Sequence, residues 1–173
     1  GGALSGAGNN HTYSGAVTVT SASTINLADA NGPGSATARN ITLSGPLTGT
    51  AGLTIDGNNA ASGGNQLAGT LTLNHAASTW SGPLTFNRGT VSIEAAASTG
   101  LQPTDISFAS FGRYIVKGVD GRTIDRSGAL VLAAAAAGEF QVDNTTGTQV
   151  TDFVVNQNGA VTLGAGSALR VAL

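Results

Sequence analysis

Short segments in which apolar and small polar residues alternate recur along the whole chain. Alternation with a period of two is typical of a strand, whose successive side chains lie on opposite faces. Gly, Asn, Ser or Pro separates nearly every pair of segments, as tight turns require. Thirteen segments show the pattern: 16–20, 24–27, 41–43, 53–55, 70–73, 84–86, 90–93, 114–116, 129–132, 139–142, 153–155, 160–163 and 168–171. The chain is therefore predicted to be all-β, with many short strands.

Internal repetition decides how such strands are arranged. Thr12–Val19 matches Thr79–Phe86, and Ser44–Thr48 matches Ser81–Thr85, at two different offsets along the chain. A sandwich has no reason to reuse a short string, whereas stacked coils place like residues over one another. We therefore predict a single-stranded parallel β-helix (β-solenoid) of about 7–8 coils with roughly 20–25 residues in each. An antiparallel β-sandwich is the alternative.

A third repeated unit has the pattern Gly, any residue, aliphatic, Thr or Ser, aliphatic. It occurs at Gly69–Leu73, Gly89–Ile93 and Gly159–Leu163. In a solenoid the aliphatic residues of such a unit point inward and the hydroxyl residue points outward. We expect one β-solenoid segment over residues 1–173, with repeat-like units at about 10–50, 51–93 and 94–173. We also expect it to be a fragment of a longer repetitive chain.

Composition excludes several classes of function. The net charge is -2 with seven basic residues, which is too little positive charge to bind nucleic acid. No apolar stretch approaches the roughly 20 residues of a membrane-spanning helix. Cysteine is absent, so disulfides and thiolate metal sites are excluded, and His11 and His75 lie far apart in the sequence. We predict no cofactor, no metal and no direct insertion of this segment into a membrane.

Several of these strings resemble a known family. Ile41–Ile55, and Gly69–Leu73 followed by Ser78–Phe86, are similar to the autotransporter-associated β-strand repeat, with Gly89–Ile93 as its closing strand. Residues 112–126 with 138–142 resemble the spacer between such repeats. The resemblance implies a right-handed parallel β-helix in the secreted passenger of a large bacterial surface protein. It implies no catalytic residues.

The predicted function is structural or adhesive. The segment would be a rigid spacer, stalk or fibre-forming module at the cell surface or outside the cell, anchored to the outer membrane by regions outside this sequence. Its predicted partners are copies of itself, flanking repeats of the same chain, and glycans or a host surface. A second alternative is a self-assembling subunit of an extracellular filament or sheath.

A carbohydrate-binding or carbohydrate-cleaving β-helix is the first alternative. The densest charge in the sequence lies between Asp105 and Arg126. If the protein is a polysaccharide lyase or glycoside hydrolase, its candidate catalytic residues are Asp105, Asp120, Asp125 and Arg122, because glycoside cleavage uses paired carboxylates. The favoured interpretation of this stretch is a solvated loop with exposed ion pairs.

Two aromatic residues and one arginine are candidate contacts for a glycan or a protein partner. They are Trp80, Tyr114 and Arg113. Aromatic rings stack on sugars, and Arg binds acidic groups. Trp80 occupies the position that Tyr13 holds in the matching unit, and this recurrence favours packing within the coil over exposure.

Overall fold

The computed structural model describes residues 3–4, 10–27, 39–57, 69–94, 101, 103–118, 123–143 and 154–172. Within these ranges the regular secondary structure is β-strand, which confirms the all-β class. The strands are β1 (Ala3–Leu4), β2 (Asn10–Tyr13), β3 (Val17–Val19), β4 (Ser23–Asn26), β5 (Asn40–Leu43), β6 (Leu47–Gly49), β7 (Leu53–Asp56), β8 (Thr70–Leu73), β9 (Leu84–Ile93), β10 (Ile106–Lys117), β11 (Thr123–Arg126), β12 (Leu130–Leu132), β13 (Ala137–Asp143), β14 (Val154–Gln157), β15 (Val161–Leu163) and β16 (Ala168–Ala172). Each of the thirteen predicted segments overlaps one of these strands.

The strands are stacked in three lanes. Lane A contains β2, β5, β8, the second halves of β9 and β10, β13 and β16. Lane B contains β1, β4, β7, the first halves of β9 and β10, β12 and β15. Lane C contains the two pairs β3–β6 and β11–β14. Every pair between described strands is parallel, which is compatible with a parallel β-helix and excludes the antiparallel sandwich for these parts of the chain.

The chain visits the lanes in the repeating order A, C, B. Strands β2, β3 and β4 do so first, and β5, β6 and β7 repeat the order, with partners such as Asn10 and Asn40 separated by 30 positions. The separation is shorter in the middle, where Thr70 pairs with Thr90. It returns to 31 positions between β11 and β14, as at Asp125 and Asn156. The predicted spacing of roughly 20–25 residues is thus wrong for both ends of the described chain. Longer connections join lane B to lane A near the amino-terminal end, and a longer connection joins lane A to lane C between β13 and β14.

Inward side chains form continuous columns because the register is kept from strand to strand. One lane B column runs Ile25, Ile55, Phe86, Phe108 and Leu132. The corresponding lane A column runs Ile41, Leu71, Val91, Tyr114 and Phe140. Both columns belong to one buried cluster that also contains Val19, Leu47, Trp80 and Ile124 of the remaining face. One hydrophobic core therefore serves all three lanes.

The corner between lanes B and A changes along the chain. In β9 the strand passes through the corner without a loop, at Gly89, whose φ is 132°. A Cβ atom there would lie 3.0 Å from Cγ2 of Ile55, so both the backbone and the space require glycine. Further on, the same corner is a turn at 133–136 and at 164–167. The number of residues between stacked positions is therefore smallest where the corner has no loop.

Only some of the repeated strings stack on each other. The units starting at Gly69 and Gly89 do so, in strands β8 and β9. The strings starting at Ser44 and Ser81 do not, because the first leads into lane C and the second into lane B. The offset between those two strings is therefore not a stacking distance. The true register in this region pairs Asn10 with Asn40 and Val17 with Leu47, and the sequence comparison missed it.

Candidate functional site

The predicted acidic residues are only partly described. Asp120 and Arg122 lie outside the described residues. Asp105 is exposed just before β10, and its Oδ1 accepts a hydrogen bond of 2.7 Å from the backbone N–H of Ala129. Asp125 is exposed on β11, and its Oδ1 accepts a hydrogen bond of 2.9 Å from Nδ2 of Asn156. Each of these two carboxylates accepts a hydrogen bond from a neighbouring segment of its own lane, and a catalytic pair stays a prediction.

Trp80 lies in the interior. Its side chain is 1% exposed and belongs to the buried cluster. The indole Nε1–H donates a hydrogen bond of 2.9 Å to the carbonyl oxygen of Ala51, so the polar end of the ring has a partner. The backbone N–H of Thr79 donates to the carbonyl oxygen of Leu47, which places this segment beside lane C. The structure therefore assigns Trp80 to the core and not to the outer surface.

Tyr114 is buried in the middle of an aromatic and cationic stack. Its ring centroid lies 5.3 Å from that of Phe140, and the guanidinium carbon of Arg126 lies 5.9 Å from the centroid of the Tyr114 ring. Burial raises the pKa of Tyr114 to about 12, and the positive charge of Arg126 opposes this rise. The phenol therefore stays neutral and inside the core, and it presents no ring face for a sugar at the surface.

The favoured interpretation of the charged stretch from Asp105 to Arg126 as a solvated loop is wrong for its described residues, because they form β10 and β11 and Arg126 is a buried cation. Arg126 is 4% exposed, and its Nε–H donates a hydrogen bond of 3.0 Å to Oε1 of Gln157, which stacks beside it in lane C. Its Nη1 and Nη2 have no hydrogen-bond partner among the described residues. The Tyr114 ring supplies a cation–π contact on one side. Burying a guanidinium is costly, and the contacts of Arg126 with Gln157 and Tyr114 offset part of that cost.

The outer face of lane A bears ion pairs between β9, β10 and β13. Nη2 of Arg113 lies 3.2 Å from Oε2 of Glu139, and Nζ of Lys117 lies 3.0 Å from Oε2 of Glu94. The first pair joins β10 to β13, the second joins β10 to the residue that follows β9, and the register places Arg170 directly beyond Glu139. The predicted contact residue Arg113 is therefore already paired with a carboxylate, with 29% of its side chain exposed.

Between β2 and β8 the corresponding outer contacts are formed by hydroxyl and amide side chains. The Oγ1 atoms of Thr18 and Thr48 are 3.0 Å apart on lane C. On lane A, Nδ2 of Asn40 donates to Oδ1 of Asn10 at 3.0 Å, and the backbone N–H of Thr70 donates to Oδ1 of Asn40 at 2.9 Å. Each of these bonds joins residues of neighbouring strands in one lane and reinforces the backbone pairing.

Exposed apolar side chains concentrate at one end of the lanes. Among the described residues, the exposed large hydrophobic side chains are Val154, Val161, Leu163 and Val171, all in β14–β16. The three valines line a cavity of about 450 Å³ that is also lined by Phe140. A smaller cavity of about 200 Å³ opens at the opposite end, against β1, β3 and β4. Sequence patterns did not reveal these ends, because the same alternation occurs in every strand.

Acidic and imidazole side chains are scattered over the part of the chain that the structure describes. That part contains no group of three or more His, Asp or Glu residues placed to hold a metal ion. It also contains no helix that is long and apolar enough to cross a membrane.

No protein-family model, curated protein or solved structure matches the chain. The similarity to the autotransporter-associated repeat therefore stays a prediction from the sequence. What remains for a functional proposal is the geometry of the lanes and of their two ends.

Proposed function

We propose that the chain is a right-handed, single-stranded parallel β-helix that acts as a rigid spacer or stalk. The observation that carries this proposal is that lanes A and B each stack seven described strands in parallel around one shared core. Connections between parallel strands are right-handed in nearly all known cases, which supports the proposed hand. Each passage through lanes A, C and B is then one coil of the helix.

The stiffness of such a spacer would come from two repeating interactions. Backbone hydrogen bonds join each strand to the next along the axis, and the inward columns bury aliphatic and aromatic side chains between coils. Neither interaction requires a disulfide or a metal, and the chain has no cysteine. Six steps between the seven strands of a lane give a rise of about 29 Å at about 4.8 Å per step.

In this proposal the segment belongs to a secreted or surface-displayed bacterial protein and contributes length and shape to it. Its partners are adjoining coils, further copies of itself, and glycans or a host surface beyond the stalk. The support for the setting is the similarity of Ile41–Ile55 to the autotransporter-associated repeat. The described carboxylates Asp105 and Asp125 lend no support to an enzymatic role, because each is bonded within its own lane.

Energy transfer between two fluorescent domains fused to the ends of the chain tests the proposal. A rigid helix holds the domains at one fixed separation that includes an axial rise of about 29 Å. A Gly/Ser linker of the same length is the control, and its root-mean-square end-to-end distance is about 70 Å with a broad distribution. We expect a narrow distance distribution for the chain, measured on single molecules.

Denaturant distinguishes a rigid fold from a collapsed chain in the same experiment. The narrow distribution should persist unchanged in urea up to the unfolding transition and then broaden in one step. A distribution as broad as that of the Gly/Ser control in the absence of urea contradicts the spacer function.

A further inference from the structure

One inward pair of lane C is polar, although the inward columns are mainly apolar. Arg126 of β11 and Gln157 of β14 lie opposite each other in the register, and the Nε–H of Arg126 donates a hydrogen bond of 3.0 Å to Oε1 of Gln157. The Nε2 amide of Gln157 donates in turn to the carbonyl oxygens of Gly128, at 2.7 Å, and Gly159, at 3.2 Å. Both polar atoms of the Gln157 side chain are therefore bonded, which holds its amide in one orientation.

The strands β14, β15 and β16 share one register with the three strands before them. They stack on β11, β12 and β13, and the paired residues are 31 positions apart in all three lanes. The turns match as well, because 158–160 repeats the length of 127–129 and 164–167 repeats that of 133–136. A shift of β14 along β11 would therefore carry β15 and β16 with it, so the register of lane C is also that of lanes A and B.

The apolar pattern alone accepts a second register for β14–β16. A shift by two residues keeps every side chain on its own face, because successive side chains of a strand alternate. One such shift would place Val161 opposite Leu132 and Leu169 opposite Phe140. Both contacts are apolar, as are the observed ones. Hydrophobic burial therefore excludes a one-residue shift of these strands but discriminates poorly against a two-residue shift.

We infer that Arg126 and Gln157 select the register of β14–β16. The two-residue shift puts Val155 opposite Arg126, so the buried guanidinium would lose the acceptor of its Nε–H. A buried donor without a partner costs more than the exchange of one apolar contact for another. Buried polar residues fix the alignment of coiled-coil helices for the same reason. The pair would thus give β14–β16 a single alignment on β11–β13.

A contribution to stability is a weaker explanation of the pair. Apolar replacement of a buried charged group often leaves a protein equally stable or more stable. The outer pair of Arg113 and Glu139 also joins neighbouring strands, but its groups are partly solvated, and water can replace either partner after a shift. Arg126 is 4% exposed, so water does not replace Gln157 in this way. Burial is what makes the inner pair selective.

Engineered cysteines on the outer face of lane B report the register, because the natural chain has none. Val131→Cys faces Thr162→Cys in the observed register and would face Ala160→Cys after the shift. Opposite positions lie about 4.8 Å apart, which a disulfide can bridge, whereas diagonal positions lie about 8 Å apart, which it cannot. In a glutathione redox buffer and otherwise wild-type protein, the 131/162 pair should crosslink within the chain and the 131/160 pair should not.

Removal of the inner pair should admit the second register. Arg126→Met together with Gln157→Met should raise crosslinking of the 131/160 pair about tenfold or more, since no buried donor then opposes the shift. The matched control is Arg113→Met together with Glu139→Met, which removes an outer pair and should leave the 131/160 pair uncrosslinked. Circular dichroism checks the strand content of both. Crosslinking of the 131/160 pair that stays at the wild-type level in the first variant overturns the inference.

Movement of the acceptor gives a second test, which also decides the matter if the methionine variant fails to fold. Val155→Gln together with Gln157→Val keeps the composition and places the amide opposite Arg126 in the shifted register. Crosslinking should move from the 131/162 pair to the 131/160 pair, and its retention at 131/162 overturns the inference. None of these results affects the energy-transfer measurement, which tests the spacer function alone.

Discussion

The first half of the structure, β2–β8, and the second half, β9–β13, build the same parallel pairing from different materials. In the first half the inward columns are mainly aliphatic, and stacked partners such as Thr18 and Thr48 are 30 positions apart. In the second half the columns contain stacked aromatic rings, and partners such as Arg113 and Glu139 are only 26 positions apart. The difference shows that the backbone pairing, and not one repeated sequence, defines this architecture.

Space for the aromatic rings comes from glycine in neighbouring strands. The rings of Phe86 and Phe108 stack with centroids 4.9 Å apart. A Cβ at Gly112 would lie 2.7 Å from Cβ of Phe86, and one at Gly138 would lie 2.8 Å from Cδ2 of Phe108. The large aromatic rings therefore occupy the space that the glycines leave free, and the core stays densely packed without a regular sequence repeat.

The outer surfaces differ in the same way. The first half connects its strands with hydroxyl and amide pairs, such as Thr18 with Thr48. The second half uses ion pairs, such as Arg113 with Glu139. Both kinds of pair lie between residues that the strand register brings side by side.

The largest expected difference between the halves lies in the aromatic stack. Phe108→Ala should destabilise the protein by about 3–5 kcal/mol, because it leaves a cavity under a fully buried ring. A double-mutant cycle with Phe86→Ala in urea unfolding should give a coupling of about 0.5–1.5 kcal/mol. The same cycle on Ile25 and Ile55, with alanine at each, should give a smaller coupling. Equal coupling in both halves would remove the distinction between the two cores.

Alkaline pH should destabilise the second half through Tyr114. Its pKa is raised to about 12 in the fold, against about 10 in the unfolded chain. The unfolded chain therefore loses this proton first, and the contribution of the neutral phenol is complete below pH 10 and disappears as the pH approaches 12. Between about pH 9.5 and 11.5 the loss should be about 2 kcal/mol in urea unfolding.

Substitution of each tyrosine identifies the source of that loss. Tyr114→Phe should largely abolish the alkaline loss of stability, because phenylalanine has no proton to release. Tyr13→Phe, in the first half, should retain it. A Tyr114→Phe protein that loses as much stability as the wild type contradicts the assignment.

The loop-free corner in β9 should be sensitive to substitution. Gly89→Ala should destabilise the protein by about 1–3 kcal/mol, because φ is 132° and the new Cβ would lie 3.0 Å from Ile55 and 3.2 Å from Leu27. The matched control is Gly15→Ala, where a Cβ would have no atom within 4 Å. Thermal unfolding should show that the control stays within about 0.5 kcal/mol of the wild type. Similar losses at both positions would show that the two corners are equally constrained.

The smallest expected effect lies on the outer face. Glu139→Gln removes the ion pair with Arg113 and should cost about 0.2–1 kcal/mol, because both groups are partly solvated. The cost should shrink in about 1 M salt, which screens such pairs. Thr48→Val, which removes the uncharged pair with Thr18, should have an effect that does not depend on salt. A salt-independent loss for Glu139→Gln would mean that the carboxylate acts through packing.

The sequence predicted the strands better than it predicted their register. Alternation located thirteen strand segments because period-two patterning survives in every lane, and it missed β1, β2, β6, β11 and the first half of β10. Register depends on which residues stack in three dimensions, and here a close sequence match, Ser44–Thr48 with Ser81–Thr85, joins different lanes. Small-residue composition makes such accidental matches common.

The site residues were harder to predict. Trp80 and Tyr114 were both candidate surface contacts, and both are buried, as the recurrence of an aromatic residue had already favoured for Trp80. Their environment depends on residues outside their own strand or turn, such as Ala51 for Trp80 and Arg126 for Tyr114, and no local pattern contains that information. The open apolar ends are invisible for a different reason, since a terminal strand has the same alternation as an internal one.

Distances along one outer column test the parallel stacking most directly. Successive positions of lane B are occupied by Thr24, Thr54, Thr85, Ser107, Val131 and Thr162. Spin labels on engineered cysteines at position 24 and, in turn, at 107, 131 and 162 should give separations of about 14, 19 and 24 Å, in equal steps of about 4.8 Å. Electron–electron double resonance resolves the longer two, and line broadening resolves the first. Equal steps support stacked parallel strands, whereas distances that fail to increase evenly with position contradict them.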